Sequence, residues 1–304
     1  MSTFKWFASF VLAATIVPAL YAEPHCPGNV ASVPLRITNS HQMIVAVSVN
    51  HSGPYNFLLD TGTQMTMVDP SLAAEHHLNT QGSAVVAGVG FRGAASFAQL
   101  DLLEAGSHAV AKQKVLVFDL NNPGSADSHL RGVLGEDFLG QFDVLIDNAH
   151  NLLCLDDSSA MAADIKGPHI PLVTADETSS GELLLRSLII SARLSGGMRP
   201  VLLKLDSGTN ASFLFNTSGY LPLEFLRSTS LFGAGLDGAQ HRYAALPLLD
   251  LEIGQLEIPR VSFFTFIGAK ENSSPTEFDG MLSMGLFQSV FICHTHHFVV
   301  LVSR

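Results

Sequence analysis

Residues 55–63, YNFLLDTGT, and residues 201–209, VLLKLDSGT, are two versions of one segment set 146 positions apart. Each runs apolar residues into an aspartate, Asp60 or Asp206, and then turns through a hydroxyl residue and a glycine. The offset holds on both sides of the pair. VPLRIT at 33–38 answers IPLVTA at 170–175, AGVG at 87–90 answers GAGL at 233–236, and LDLLEAG at 100–106 answers LLDLEIG at 248–254. KVLVF at 114–118 then answers RVSFF at 260–264, and GVLGEDFLGQFDVLI at 132–146 answers GMLSMGLFQSVFIC at 280–293. Blocks recurring in one order at nearly constant offset predict two homologous lobes, 23–156 and 169–304, joined by a linker at 157–168 where small and polar residues gather before a Gly-Pro.

Within each lobe, short runs rich in Val, Ile, Leu and Phe alternate with Gly, Pro, Asn and Ser clusters, which predicts an all-β barrel or sandwich. Helices are few. Asp69-Pro70 is fit to cap and open a short one through LAAEHHL, and EDFLGQF at 136–142 is fit for another. At 304 residues, 47% hydrophobic and 14% charged, the chain has the material for a sizeable core.

Residues 1–22 place Lys5 before an apolar stretch and end on Ala22, the pattern of a secretory signal peptide cleaved near Ala22–Glu23. Its removal takes the formal charge from −11 to −12, and an acidic protein is a poor partner for nucleic acid, whose phosphates need Lys and Arg. The expectation is an exported protein, periplasmic or secreted, with no membrane contact after cleavage. Cys26, Cys154 and Cys293 allow at most one internal bridge with one thiol left over, and the sequence leaves the pairing open.

Duplication supplies two carboxylates in equivalent surroundings. If the lobes pack about a pseudo-twofold axis, Asp60 and Asp206 meet there, each glycine lets its loop turn tightly, and loop amides reach the carboxylates. Two such acids share one proton: the ionised member takes a proton from water while the protonated member donates to a substrate carbonyl. Thr61 and Ser207 are placed to cross-link the loops, and the hydroxyls of Thr63 and Thr209 to bond the outer carboxylate oxygens, with Gly62 and Gly208 supporting the turns.

DTGT and DSGT after apolar strands, each followed by an apolar-apolar-Gly-like element and a short helix, resemble the aspartic peptidases, and more narrowly the bacterial retropepsin-like proteins with two lobes in one chain. The resemblance covers roughly residues 31–302. It implies hydrolysis of peptide bonds in an extended polypeptide held between the dyad and glycine-rich hairpin flaps. These flaps map to about 84–95 and 230–242, with Gly88, Gly90, Gly233 and Gly235 in them. It further implies a monomer and no metal or organic cofactor.

The chain departs from the family pattern at two places. Ser283 stands where the first lobe has Gly135, and Lys204 lies two residues before Asp206, on the same strand face by period-two geometry. Lys204 turned toward the dyad would depress its acids. These two residues sustain the alternative of a degenerate module of the same fold that binds peptides or proteins without cutting them.

Other motifs point to weaker readings. Gly88, Gly90 and Gly93 spell GxGxxG, but the preceding apolar run is short and no acid follows at the dinucleotide spacing, so a flap hairpin is expected. HTHH at 294–297 lacks a second ligand cluster and is expected to be a solvated loop. Ser283 lacks the leading glycine of a nucleophile elbow. Of the four N-x-S/T sequons, the one at Asn210 lies four residues past Asp206, where a glycan would obstruct the cleft, which favours a non-glycosylating host.

Overall fold

The computed structural model describes residues 25–39, 41–88, 91–120, 129–173, 187–215, 217–221, 230–234, 240–267 and 278–304. The chain is all-β: 24 strands and three α-helices of four to six residues among the described residues. The signal-peptide expectation falls on residues outside that range. No helix among the described residues is long and apolar enough to cross a membrane.

The strands that carry the two aspartates are built alike. Strand Ser52–Leu59 leads into Asp60 and pairs in parallel with Leu130–Leu134, Leu59 opposite Leu134, while Met67–Val68 returns antiparallel against Gly132 and Val133. Strand Val201–Asp206 pairs in parallel with Gly280–Ser283, Leu205 opposite Leu282, while Ser212–Leu214 returns antiparallel against Met281 and Gly280. Met43–Val49 and Ile189–Leu194 pair antiparallel with the other edges of the two acid-bearing strands, so each is clamped between neighbours. Leu58, Leu59, Leu203 and Leu205 are fully buried, so packing holds the end of each strand.

Six neighbouring strands at one end of a 15-stranded sheet join the two halves of the chain. Their order is Ile170–Pro171, Phe298–Ser303, Phe287–Cys293, Asp143–Asp147, Leu152–Asp156 and Ser32–Ile37, three strands from each half. The central junction is antiparallel, with Val144 opposite Ile292 and Leu145 opposite Phe291. Cys26 and Cys154 form the disulfide, which ties the start of the described chain to this sheet, and Cys293 is a buried free thiol pushed by burial to a pKa of about 11. The stretch expected as a linker, 157–168, holds the helix Ala160–Asp164. Met161 is buried, and Asp164 accepts a hydrogen bond from the Gly28 amide at 2.9 Å. Helix Pro70–Glu75 opens as expected, Asp69 accepting from the Leu72 amide, and Glu136–Leu139 forms the other short helix.

The solvated-loop reading of HTHH is corrected at its first residue. Residues 294–297 do form a turn, but His294 is buried across the junction, its Nδ1 2.6 Å from the Phe142 carbonyl and its Nε2 3.1 Å from Glu136 Oε2. Both ring nitrogens face acceptors, so the bonded form is the imidazolium. Burial opposes that charge, and Glu136, by hydrogen bond and charge, outweighs it and raises the His294 pKa above the ordinary histidine value. The reading failed because Glu136 lies 158 residues away in sequence. Among the described residues no cluster of His, Cys, Asp and Glu is arranged to hold a metal.

A group whose folded pKa is raised contributes stability below its unfolded value and loses it as pH rises through the folded one. His294→Gln is therefore expected to destabilise the protein by about 3 kcal/mol at mildly acidic pH, the cost of stranding a buried partner charge. The deficit should shrink as pH climbs above the ordinary histidine range. Thermal melts of the two proteins across pH check this, and a deficit independent of pH would show that the contact is not an ion pair.

Candidate active site

The two D-[TS]-G turns come together at the junction of the halves. Asp60 and Asp206 are 6% and 7% exposed, and Thr61 and Ser207 are each 1% exposed. The proximity is read directly from the glycines. A Cβ added to Gly62 would stand 2.4 Å from Asp206 Oδ2, and one added to Gly208 would stand 2.4 Å from the carboxyl carbon of Asp60. Each carboxyl therefore lies on the backbone of the other's loop, where only glycine leaves room.

Reciprocal hydrogen bonds hold the loops in that register. The Thr61 amide donates to Ser207 Oγ at 3.0 Å and the Ser207 amide to Thr61 Oγ1 at 3.1 Å. Each hydroxyl donates in turn to a strand carbonyl of the opposite half, Thr61 Oγ1 to Leu205 at 3.1 Å and Ser207 Oγ to Leu59 at 2.8 Å. Every polar group in this cross-link is buried and satisfied, and removing one hydroxyl would strand an amide and a carbonyl at about 1–3 kcal/mol apiece.

Each aspartate also accepts from its own loop. Asp60 Oδ1 takes the amides of Gly62 at 2.8 Å and Thr63 at 3.1 Å, and Asp206 Oδ1 takes those of Gly208 at 2.8 Å and Thr209 at 3.1 Å. The support expected from the Thr63 and Thr209 hydroxyls thus comes from their backbone N–H groups instead. The Thr209 hydroxyl donates to the Ala211 carbonyl, and the Thr63 methyl lies against Gly135. The turn geometry aims amides, not side chains, at the carboxylate.

Burial is the largest influence on both acids and raises both pKa values. At Asp60 the charge of Asp206 adds to it, while the Gly62 amide and Lys204 oppose. At Asp206 the charge of Lys204 and the amides of Gly208 and Thr209 pull against burial, and a hydrogen bond from Asp60 favours its ionised form. The balance keeps a proton on the pair above the range where a free carboxylic acid loses its own.

Ser283 does not disrupt the second turn. In the first half the Thr63 carbonyl accepts from the Glu136 amide at 3.0 Å. In the second half the matching Thr209 carbonyl accepts from Ser283 Oγ at 2.8 Å, so the side chain supplies the donor that the backbone supplies in its counterpart. Ser283 Oγ also accepts from the Gly285 amide at 3.3 Å. Gly135 has no such freedom, since a Cβ there would stand 2.8 Å from the backbone of Met65. Two further supports were not anticipated: Thr66 Oγ1 and Ser212 Oγ accept from the amides of Gly135 and Ser283, both at 3.1 Å. Both carry hydroxyls and stand at the repeat offset, which was the available signal.

The GxGxxG stretch forms an antiparallel hairpin, Gln81–Gly88 with Phe91–Gln99, Gly88 opposite Phe91, and no dinucleotide-type strand–turn–helix. The second hairpin pairs Ser230–Ala234 with Gln240–Ala245, Gly233 opposite His241. Gly90 and Gly235, at the expected flap tips, lie outside the described residues. Lys204 reaches across the junction, its Nζ 2.6 Å from the Gly62 carbonyl.

Raised carboxyl values give full stability below the ordinary carboxylate range and lose it as pH rises through the folded values. Asp60→Asn and Asp206→Asn keep an acceptor for the loop amides and remove the buried charge. Each is expected to raise stability by roughly 1–3 kcal/mol near neutral pH and to converge on wild type in acid. Denaturant unfolding at several pH values measures this; variants less stable than wild type near neutrality would contradict it.

Residues 45–138 match the family model described as aspartyl protease. Among solved structures, a retropepsin-like aspartic protease from Rickettsia conorii is similar to this chain, with 18% identity, coverage of 41% of this chain and 90% of that one, and a TM-score of 0.31. No curated protein matches it. The family match spans the first acid-bearing turn and its supporting strands.

Proposed function

We propose that the protein is an aspartic endopeptidase in which Asp60 and Asp206 share one proton and activate a single water. The observation that carries this reading is the burial of each carboxyl against the other's loop glycine, within the reciprocal Thr61–Ser207 cross-link. A pair of acids in that setting offers a base and an acid at once. The ionised member accepts a proton from water as its oxygen attacks the scissile carbonyl, and the protonated member donates to the carbonyl oxygen. The resulting tetrahedral diol collapses as the pair takes a proton from a diol hydroxyl and delivers its own to the leaving nitrogen, which breaks the C–N bond and returns the pair to its one-proton state without an acyl-enzyme.

The substrate in this reading is an extended polypeptide lying between the dyad and the two hairpins near 81–99 and 230–245. The two acid-bearing halves act as homologous lobes of one monomer, 23–156 and 169–304. The Cys26–Cys154 bridge favours an oxidising compartment, in keeping with the apolar leader at 1–22 and export. The satisfied hydrogen bonds of Ser283 favour a working second loop over a binding-only module.

A peptide-library digest from acid to neutral pH tests the proposal. Wild type is expected to cleave, and Asp60→Asn or Asp206→Asn to lower kcat by about a hundredfold or more, the loss of a general acid–base partner. Cleavage that persists in both variants would remove the dyad from the reaction. A folded wild type that binds peptides and leaves them intact would make the protein a binding module.

A further inference from the structure

Lys204 carries a positive charge from the second half to the first half's aspartate turn. It stands on strand Val201–Asp206, two residues before Asp206 and on the same face, and its half-buried ammonium donates to the Gly62 carbonyl at 2.6 Å. Gly62 is the residue whose amide holds Asp60 Oδ1 and whose Cα lies against the Asp206 carboxyl. The ring centroid of Phe278 stands 5.7 Å from the same nitrogen. The counterpart position in the first half is Leu58, fully buried and apolar, so the two halves differ in charge at a matched site beside the dyad.

We propose that Lys204 is a positioning residue of the dyad: tied to the opposite turn through Gly62, it fixes one positive charge beside two carboxyls and thereby sets the pH range over which they hold a single proton. The proposal rests on the endopeptidase reading for its meaning in catalysis, and on geometry alone for its effect on the pair. No other charge competes for this role among the described residues. Asp137, behind the Asp60 turn, is engaged by Thr66 and Gln113. Arg199 and Asp279, at the far end of the strand, bond each other. Among the described residues, the charges acting on the pair are those of Asp60, Asp206 and Lys204, and Lys204 favours ionisation of both acids. A fixed cation also breaks the symmetry of a duplicated site, since it sits on the strand of Asp206 and is the largest influence opposing burial there, whereas at Asp60 the Gly62 amide outweighs it.

Lys204→Gln separates charge from anchoring, because the glutamine amide retains a donor for the Gly62 carbonyl and lacks the positive charge; Lys204→Arg keeps the charge. Loss of a nearby opposite charge raises carboxyl pKa values by about one unit or more. Both limbs of the kcat/KM–pH bell are therefore expected to move to higher pH by about one unit in Lys204→Gln and to stay in place in Lys204→Arg. A lowered kcat with an unmoved bell in Lys204→Gln would reduce Lys204 to a structural tether and overturn the proposal. Carboxyl-carbon NMR titration of wild type and both variants reads the same shift without turnover, so a protein that cleaves nothing still decides the matter. An inactive wild type would sink the endopeptidase reading, whereas identical titrations in wild type and Lys204→Gln would sink this one.

Discussion

Two carboxyls buried against each other cannot both carry charge, and the rest of the structure follows from making that arrangement tolerable. The cost falls as one shared proton, four loop amides and one lysine are brought to the pair. None of these can act unless the loops are held in register. The Thr61–Ser207 cross-link supplies the register, and it is stiff because its hydroxyls finish on carbonyls of strands already locked in the core. Packing fixes the strands, the strands fix the hydroxyls, and the hydroxyls fix the acids.

The recurring segments explain why so much of this could be read from letters alone. A run of apolar residues ending in D-[TS]-G states little once; twice, at a kept offset, it states that two loops share one geometry. The meeting of Asp60 with Asp206 followed from that repeat, the all-β class from the short apolar runs, and the Pro70–Glu75 helix from its Asp69 cap. The reciprocal Thr61–Ser207 contact follows from two like turns meeting each other.

What was not legible lies where the halves differ or where contacts span the whole chain. His294 looks like a turn residue because its partners, Phe142 and Glu136, are more than 150 positions away. The Cys26–Cys154 pairing depends on a strand that forms at the junction sheet, which spacing cannot show. Ser283 reads as a defect until its hydroxyl is seen replacing a backbone donor, and the threonines after each Asp-Thr/Ser-Gly were assigned through their side chains when the turn presents their amides. In each case residue type was right and direction was missing, because direction is set by backbone geometry that a one-dimensional pattern does not carry.

Neutron crystallography of the uncomplexed protein at mildly acidic pH would locate the hydrogens of the dyad directly. A single deuteron lying between oxygens of Asp60 and Asp206, with Thr61 and Ser207 hydroxyls directed at the Leu205 and Leu59 carbonyls, is the result expected. Carboxyl groups separated by more than one water molecule can bridge, or both bare of deuterium, would contradict the account.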